Sequence, residues 1–281
     1  MANGEKANVM VDFIKMHGLG NDYVYIDCFV KTTAEIIAKA DLAKLARRVS
    51  DRHRGVGSDG LVLILPSDKA DARMRMFNAD GTEAQMCGNA IRCVGKYLYE
   101  SGLCTQTRMT IDTLAGIREL RLDITAGKVR EVTVGMGAPR IKEDSIDLET
   151  GTVPFWNVNM GNPHAVFFYD WMVTTSTMLT LGEKIGTHPH FPEGTNVEFA
   201  CIRNRQEIDL RVWERGTGET MACGTGACAT AVAAIRQGKT EEKVTIHLPG
   251  GDLTIQWQPG EQVYMTGPAE EVFRGEIGLV E

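Results

Sequence analysis

An internal repeat is the feature that most constrains the fold of this chain. With Cys87 placed over Cys223, the segment RMFNADGTEAQMCGN at residues 75–89 aligns with RVWERGTGETMACGT at residues 211–225. The alignment keeps an arginine, an aromatic residue two positions later, a glutamate four residues before the cysteine and a glycine directly after it. Such self-similarity indicates that one structural unit occurs twice.

Two further pairs of segments match in the same order along the chain. Upstream of the cysteines, LGNDYVYID at residues 19–27 resembles MGNPHAVFFYD at residues 160–170, each a Gly-Asn step that leads into an apolar strand. Downstream, MTIDTLAG at residues 109–116 resembles VTIHLPGG at residues 244–251. The sequence therefore predicts two similar halves related by pseudo-twofold symmetry.

The residue pattern within each half predicts the α+β class. Short stretches rich in β-branched and aromatic residues predict many strands. Helices are fewer, and they are predicted over 34–50, over 174–186 and after each Cys-Gly step. The two helices after the cysteines are expected to end at Gly102 and Gly238, in the same register, because glycine is the usual residue just beyond a helix.

The repeat also predicts the domain boundaries. The second copy begins near VTVGMGAP at residues 132–139, whose glycines and proline suit a hinge or crossing point. We predict a first domain of residues 10–131 plus 268–281 that carries Cys87, a second domain of residues 132–267 that carries Cys223, and a loose tail at residues 1–9. Each domain is expected to be a curved mixed sheet wrapped around a central helix, with the active site in the cleft between the domains.

Composition excludes several classes of function. A net charge of −7 gives no basic surface for nucleic acid. No apolar run approaches the roughly 20 residues of a membrane span, and the N-terminus has no apolar signal core, so the cytoplasm is the expected location. Seven cysteines form an odd set without a CxxC pair, which argues against a disulfide framework and against a structural metal site.

The repeated Cys-Gly step at a helix start indicates a specific chemistry. A helix N-terminus carries unpaired N–H groups and partial positive charge, so it stabilises a thiolate and also binds a carboxylate. Two cysteines on opposite faces of one carbon can invert its configuration, since one removes a proton as the thiolate while the other returns a proton as the thiol. The N–H groups would hold the charge that develops on the substrate carboxylate.

The motifs around these cysteines resemble those of the diaminopimelate epimerase family over nearly the whole chain. The resemblance begins at FIKMHGLGNDYVYID, residues 13–27. Its motifs are MHGLGND, DRHRGVGSDG, FNADG, MCGNAIRC, MGNPH, EGTNVEF and ERGTGETMACGTGA. It implies an epimerase that interconverts LL- and meso-2,6-diaminopimelate in lysine and peptidoglycan precursor synthesis. It also implies that the enzyme needs no pyridoxal phosphate or other cofactor and that it is a homodimer.

The resemblance also implies roles for individual residues. Cys87 would be the proton donor and Cys223 the proton acceptor in one direction of the reaction, and His164 and Glu214 would tune the two thiols. The positions expected to bind substrate are Asn21, Asn78, Gly88, Asn89, Asn162, Asn196, Glu214, Arg215, Gly224 and Thr225. Gly60 departs from the pattern, because some relatives carry glutamine there.

Two other readings remain open. The same cysteines could serve thiol–disulfide exchange or metal binding. The chain could also be a proline racemase-type enzyme, or a racemase of another amino acid, on the same fold. An isomerase that lacks the cysteine pair is excluded by the presence of both cysteines. Against a proline-sized substrate, the polar positions Asn78, Asn162, Asn196 and Arg215 suit a long substrate with a second charged end, and a small ligand would leave them unpaired.

Overall fold

The computed structural model describes residues 9–279 and divides the chain into two compact units. The first unit contains the residues up to Val132 and those from Pro268 onward, and the second runs from Thr133 to Gly267. The loose tail predicted for residues 1–9 lies outside the described residues except for Val9, which begins the first strand.

The first copy of the repeat contains nine strands and three helices. In chain order they are β1 (Val9–Gly18), β2 (Asn21–Asp27), α1 (Lys31–Ile37), α2 (Leu42–Ser50), β3 (Gly60–Leu65), β4 (Ala72–Asn78), β5 (Glu83–Ala84), α3 (Gly88–Glu100), β6 (Arg108–Thr113), β7 (Gly116–Thr125), β8 (Lys128–Gly137) and β9 (Arg140–Leu148).

The second copy repeats this order with a single helix in place of α1 and α2. Its elements are β10 (Gly151–Asn159), β11 (Pro163–Tyr169), α4 (Thr175–Gly186), β12 (Asn196–Asn204), β13 (Glu207–Glu214), β14 (Gly218–Glu219), α5 (Gly224–Arg236), β15 (Lys243–Leu248), β16 (Gly251–Gln256), β17 (Val263–Gly267) and β18 (Glu270–Leu279).

Strand pairing follows the same pattern in the two copies. In the first unit β2 pairs parallel with β3, β3 antiparallel with β4, β4 parallel with β6, and β6 antiparallel with β7. In the second unit β11 pairs parallel with β12, β12 antiparallel with β13, β13 parallel with β15, and β15 antiparallel with β16. The duplication predicted from the sequence is therefore present in the topology, and the α+β class is confirmed.

The last strand of each copy pairs with the first strand of the other copy. Strand β18 lies antiparallel to β1, and β9 lies antiparallel to β10. The first unit therefore recruits its closing strand from the C-terminal end of the chain, which is why the residues from Pro268 onward belong to it.

A matched ion pair supports the repeat at the level of side chains. The guanidinium of Arg75 binds the carboxylate of Glu83 through two nitrogens, at 2.7 and 3.0 Å, across the β4–β5 hairpin. Arg211 binds Glu219 in the same way across β13 and β14, at 2.8 and 2.7 Å. Both hairpins lead directly into the cysteines, so each pair fixes the approach to a helix N-terminus.

Helices α3 and α5 are the buried helices of the two units. Helix α3 packs against β1, β2 and β7, and α5 packs against the strands from β10 to β17 that form its unit. Every residue of α5 from Gly226 to Ile235 is buried, as its small and apolar sequence predicts. A helix buried on all sides can be placed accurately by its surroundings, which fixes the position of the cysteine at its start.

The prediction of one helix over residues 34–50 is wrong. The chain forms α1 and α2 there, and Asp41 separates them because its carboxylate accepts a hydrogen bond from the backbone N–H of Lys44 at 3.0 Å and so begins α2. Helix α4 confirms the helix predicted over 174–186. Strands β7, β9 and β18 were not predicted, since they are largely exposed and carry many charged residues. Strand β10 was not predicted either; it carries no charged residue, but its glycine, proline and asparagines interrupt the apolar pattern that marks a strand.

Candidate active site

Cys87 lies at the N-cap position of α3, in extended backbone that leads out of the β4–β5 hairpin. Its Sγ donates a hydrogen bond to Oδ1 of Asn21, at 3.4 Å. The same oxygen accepts from Nδ2 of Asn89, at 3.2 Å. Gly88 and Asn89 are the first two residues of α3, so their backbone N–H groups belong to the exposed first turn that can bind an anion.

The orientation of the Asn21 amide is fixed from its other side. Its Nδ2 donates to Oδ2 of Asp59 at 2.8 Å, and the backbone N–H of Asp22 donates to the same oxygen at 3.0 Å. The other carboxylate oxygen of Asp59 binds Arg52 at 2.9 Å. Because a carboxylate only accepts hydrogen bonds, the nitrogen of Asn21 must face Asp59 and the oxygen must face Cys87.

A buried phenol adjoins Cys87 from strand β2. Burial raises the pKa of Tyr23 well above its usual range, and the neighbouring Cys87 raises this pKa further. Tyr23 is therefore a neutral phenol at physiological pH. It occupies the position in the first copy that His164 occupies in the second, two residues after the matched asparagine.

Cys223 lies at the N-cap position of α5 and is only 5% exposed. Its Sγ accepts a hydrogen bond from the backbone N–H of Gly226 at 3.4 Å and lies 3.6 Å from Oγ1 of Thr225. Burial raises the pKa of the Cys223 thiol well above its usual range, and the charges of Glu214 and Glu198 raise it further. The contacts with Thr225 and Gly226 act in the opposite direction, because they stabilise the thiolate.

A buried histidine orients the asparagine of the second copy. Nε2 of His164 donates to Oδ1 of Asn162 at 3.0 Å, since an amide oxygen only accepts, and Nδ2 of Asn162 donates to Oγ1 of Thr225 at 3.3 Å. Nδ1 of His164 lies 2.6 Å from Oε1 of Glu198. Both His164 and Glu198 are 0% exposed.

Glu198 is the functional candidate that sequence reasoning missed. Burial raises the pKa of its carboxyl group, with His164 acting in the opposite direction. Its Oε1 would lie 2.9 Å from a Cβ at position 226, so the glycine there allows the carboxyl group to approach the start of α5. The signal was available in the EGTNVEF motif, where an acidic residue stands within the fully buried start of β12.

Glu214, at the end of β13, is the second carboxyl group that acts on Cys223. Burial raises its pKa, while the hydroxyl of Thr220, the charge of His164 and the Cys223 thiol lower it. Thr220 donates to Oε1 of Glu214 at 2.5 Å. The charges of Glu198 and Glu214 thus act on the Cys223 thiol, so the protonation states of these three groups depend on one another.

Asn196 and Arg215 are joined through the backbone. Oδ1 of the buried Asn196 accepts from the backbone N–H of Arg215 at 3.0 Å, and its Nδ2 donates to the carbonyl oxygen of Pro163 at 2.9 Å. The guanidinium of Arg215 donates to the carbonyl oxygen of Glu193 at 2.9 Å and lines an open cavity of 340 Å³ within the second unit. In this structure Asn196 thus positions the chain that carries Arg215.

Two further predicted positions lie in the first unit. The side chain of Asn78 donates to Oγ1 of Thr82 at 2.9 Å. At Gly60 a Cβ would lie 2.0 Å from the carbonyl oxygen of Phe77, so this backbone arrangement leaves no room for a side chain. The pairing of β3 with β4 therefore explains why this chain has glycine at position 60, where some relatives carry glutamine.

The predicted residues thus gather into two groups, one in each unit. Asn21, Asn89 and Cys87 are linked in the first unit, and Asn162, His164, Glu214, Thr225 and Cys223 surround the start of α5 in the second. Their roles toward a substrate stay predictions. All seven cysteines are free thiols, and among residues 9–279 no three histidine, cysteine or acidic side chains come together as a metal site would require.

The fold is similar to that of several solved enzymes. A hydroxyproline epimerase from Agrobacterium vitis matches with a TM-score of 0.73 over 100% of this chain and 95% of that one, at 18% identity. A PhzF-family phenazine biosynthesis protein from Bacillus anthracis matches with a TM-score of 0.71 over 96% of this chain and 99% of that one, also at 18% identity. These likenesses define the class by its fold alone, a two-unit α+β architecture that this chain shares with both proteins.

Sequence comparison narrows this class to one family. The family model described as diaminopimelate epimerase matches residues 13–142 and 156–272. The diaminopimelate epimerases of Pelotomaculum thermopropionicum and Desulfitobacterium hafniense are 51% and 48% identical to this chain; each match covers 94% of this chain and 98% and 97% of the relative. The chain belongs to the diaminopimelate epimerase family.

Proposed function

We propose that this enzyme interconverts LL- and meso-2,6-diaminopimelate by a two-base mechanism without pyridoxal phosphate. The observation that carries the proposal is the placement of Cys87 and Cys223 at the N-caps of two matched, buried helices. Family membership makes the chain an isomerase, and the product supplies lysine and peptidoglycan synthesis.

In one direction of the reaction, Cys223 is the base. Its thiolate removes the α-proton, and the electron pair of the C–H bond passes to the α-carbon and its carboxylate. Protonation of Glu214 or Glu198 favours the Cys223 thiolate, because it removes a negative charge near the sulfur. The N–H of Gly226 and the hydroxyl of Thr225 support the thiolate once it forms.

Cys87 is the acid in that direction. Its S–H proton passes to the opposite face of the α-carbon, which leaves Cys87 as the thiolate and Cys223 as the thiol. The reverse reaction exchanges the two roles. Each turnover therefore places a solvent-derived proton on the product, since the thiols exchange with water between turnovers.

The substrate carboxylate next to the reacting carbon would bind the first-turn N–H groups of α3 and α5. Gly88, Asn89, Gly224 and Thr225 supply these groups, and they hold the negative charge that grows during deprotonation. Asn21 and Asn162 border the same helix starts.

The far end of diaminopimelate carries a second ammonium and a second carboxylate. Arg215 can bind that carboxylate through two nitrogens, and Glu214 can accept from the ammonium. Asn78 and Asn196 complete the set proposed for the far end, with Asn196 acting through the backbone of Arg215.

We further propose that the enzyme is a cytoplasmic homodimer. Exposed apolar side chains lie on the paired strands β1 and β18, where Met10 is 48%, Val272 55% and Phe273 45% exposed. A second copy of the chain could cover them. Among residues 9–279, no helix is both long and apolar enough to cross a membrane. Light scattering coupled to size exclusion would give twice the chain mass, and the mass of one chain would contradict the dimer.

The decisive experiment follows the reaction in D₂O. Reduced enzyme is incubated with LL-diaminopimelate without pyridoxal phosphate, and NMR follows the meso isomer and its α-deuterium. The proposal predicts meso product that carries deuterium at the inverted carbon. Turnover of proline but not of diaminopimelate would replace this substrate by a smaller one on the same fold. An active enzyme after full thiol oxidation would contradict the role of the cysteines.

A further inference from the structure

The two copies surround their cysteines with hydrogen bonds of opposite direction. In the second copy the bonds run toward the sulfur, from His164 to Asn162 at 3.0 Å and from Asn162 to Thr225 at 3.3 Å. The hydroxyl of Thr225 accepts from the amide, so its own proton is available to Cys223, 3.6 Å away.

In the first copy the bonds run away from the sulfur. Cys87 donates to Oδ1 of Asn21 at 3.4 Å, and Nδ2 of Asn21 donates to Asp59 at 2.8 Å. The chain ends at a carboxylate, which has no proton to give back. Asn21 and Asn162 are matched residues of the repeat, yet Asn21 meets Cys87 with its oxygen, whereas Asn162 meets Thr225, the residue that contacts Cys223, with its nitrogen.

The group that decides the orientation in the first copy is Asp59. A histidine N–H at the equivalent place would turn the amide the other way, as His164 does for Asn162. Asp59 is itself held in place by Arg52 at 2.9 Å and by the backbone N–H of Asp22 at 3.0 Å. Because these contacts fix its carboxylate, Asp59 determines the orientation of the Asn21 amide, and Asn21 does not determine that of Asp59.

We propose that Asp59 is a positioning residue that holds the carbonyl oxygen of Asn21 against Cys87 and so keeps this thiol protonated, as the proton donor of the pair. Asp59 acts through Asn21 and does not touch the reacting atoms. The inference rests on the proposed function, because the direction of these bonds matters only if the two cysteines exchange roles as acid and base.

The other groups that bear on Cys87 do not set this direction. They are the buried phenols of Tyr23 and Tyr25 and the buried thiol of Cys93, all of which stay neutral because burial raises their pKa values. A neutral phenol can donate or accept, so it does not by itself favour the thiol. Asp59 itself belongs to one ion-paired cluster with Arg52, Asp22 and Lys15.

The test measures the thiol of Cys87 without any substrate, so its outcome is independent of epimerase activity. Full-length enzyme is alkylated with iodoacetamide over a range of pH, and the modified fraction of Cys87 is measured by mass spectrometry. Trypsin cleaves after Arg75 and Arg92, so Cys87 and Cys93 lie on different peptides. The midpoint of the pH profile reports the thiolate and does not depend on access to the sulfur.

We expect Asp59→Asn to lower this midpoint and to make Cys87 about tenfold more reactive at a pH below it, because the freed amide of Asn21 can then donate to the sulfur. Loss of a nearby negative charge alone would act in the same direction, so the decisive comparison is made in the Asn21→Ala background. If Asp59 acts through Asn21, Asp59→Asn has no further effect there. Asp80→Asn, which removes an exposed charge that binds Thr82, is the control and leaves the profile unchanged.

The inference is overturned by an unchanged midpoint in Asp59→Asn, or by an equal effect of this substitution with and without Asn21. Circular dichroism and the alkylation profile of Cys223 check that the variants fold. Should Asp59→Asn fail to fold, Asn21→Ala carries the test, since it leaves the ion cluster intact and must still lower the midpoint of Cys87. The D₂O experiment on the unaltered enzyme tests the proposed function separately.

Discussion

At the scale of single residues, the cysteines give the most direct prediction. Cys87→Ser and Cys223→Ser replace sulfur by oxygen with little change in size, so both variants should fold as the unaltered enzyme does. An alcohol is a far weaker acid than a thiol, and its alkoxide is not accessible at neutral pH. We expect each variant to lose epimerisation by at least about 10²-fold, the usual contribution of one acid or base. A rate near that of the unaltered enzyme in either variant would remove the two-base mechanism.

The buried carboxyl groups beside Cys223 predict a fall in stability with rising pH. Burial raises the pKa of Glu214 above its ordinary value, so the folded protein still holds this proton when the unfolded chain has released it. The contribution is fully present below the unfolded pKa and is lost as pH rises through the folded pKa. Glu198 acts in the same direction.

Glu214→Gln isolates this effect, since the amide has the same shape and does not titrate. Calorimetry from pH 5 to pH 8 should show a smaller decrease of Tm in the variant than in the unaltered enzyme. A decrease of the same size in both would show that Glu214 is ionised throughout this range. Glu183→Gln, which changes an exposed glutamate of α4 in the same unit, is the control.

At the scale of elements, the α1–α2 break predicts a stability effect that a single continuous helix would not. Asp41 accepts from the N–H of Lys44 and so caps α2. Asp41→Ala should lower the free energy of unfolding by about 1 kcal/mol, the usual cost of losing an N-cap. Asp68→Ala removes an exposed aspartate of the β3–β4 loop and should have little effect. Chemical denaturation measures both, and equal values would contradict the capping role.

The sequence predicted the strands and helices that carry the repeated motifs, but it did not predict β9 and β18, the last strands of the two copies. The helices after Cys87 and Cys223 were predicted because small residues, a Cys-Gly step and a terminal glycine recur in register. Strands β9 and β18 are mostly exposed and charged, so their pattern lacks the apolar alternation that marks a strand. Strand β18 pairs with β1 at the opposite end of the chain, and no local pattern encodes a partner so distant. Strand β9 pairs with β10, which directly follows it.

The residues of the site likewise fall into two groups, those that the repeat predicts and those that it does not. Cys87, Cys223 and the matched asparagines could be found from the repeat, because duplication preserved them. Glu198 and Asp59 could not be found from the repeat, since each has a different residue type in the other copy. Only the acidic residue type of Glu198 within the apolar start of β12 marks it in the sequence. The predicted cleft and the predicted domain boundaries stay predictions of the sequence analysis.

At the scale of the whole molecule, the exchange of closing strands makes the C-terminal end of the chain a part of the first unit. Strand β18 pairs with β1 over nearly its full length, from Val9 opposite Leu279 to His17 opposite Glu270. A chain that ends at Gly267 keeps every element of the second unit but leaves one edge of β1 unpaired. It also removes Pro268, whose carbonyl oxygen accepts from the buried Arg92 of α3 at 3.0 Å.

We therefore expect the chain that ends at Gly267 to lose the structure of the first unit before that of the second. Hydrogen exchange followed by mass spectrometry should show lost protection in β1 and α3, while α5 stays protected. A chain that ends at Leu279 keeps all of β18 and serves as the matched control. Full protection of β1 in the shorter chain would mean that β2 alone holds this strand, and that the exchanged strand contributes little to the unit that positions Cys87.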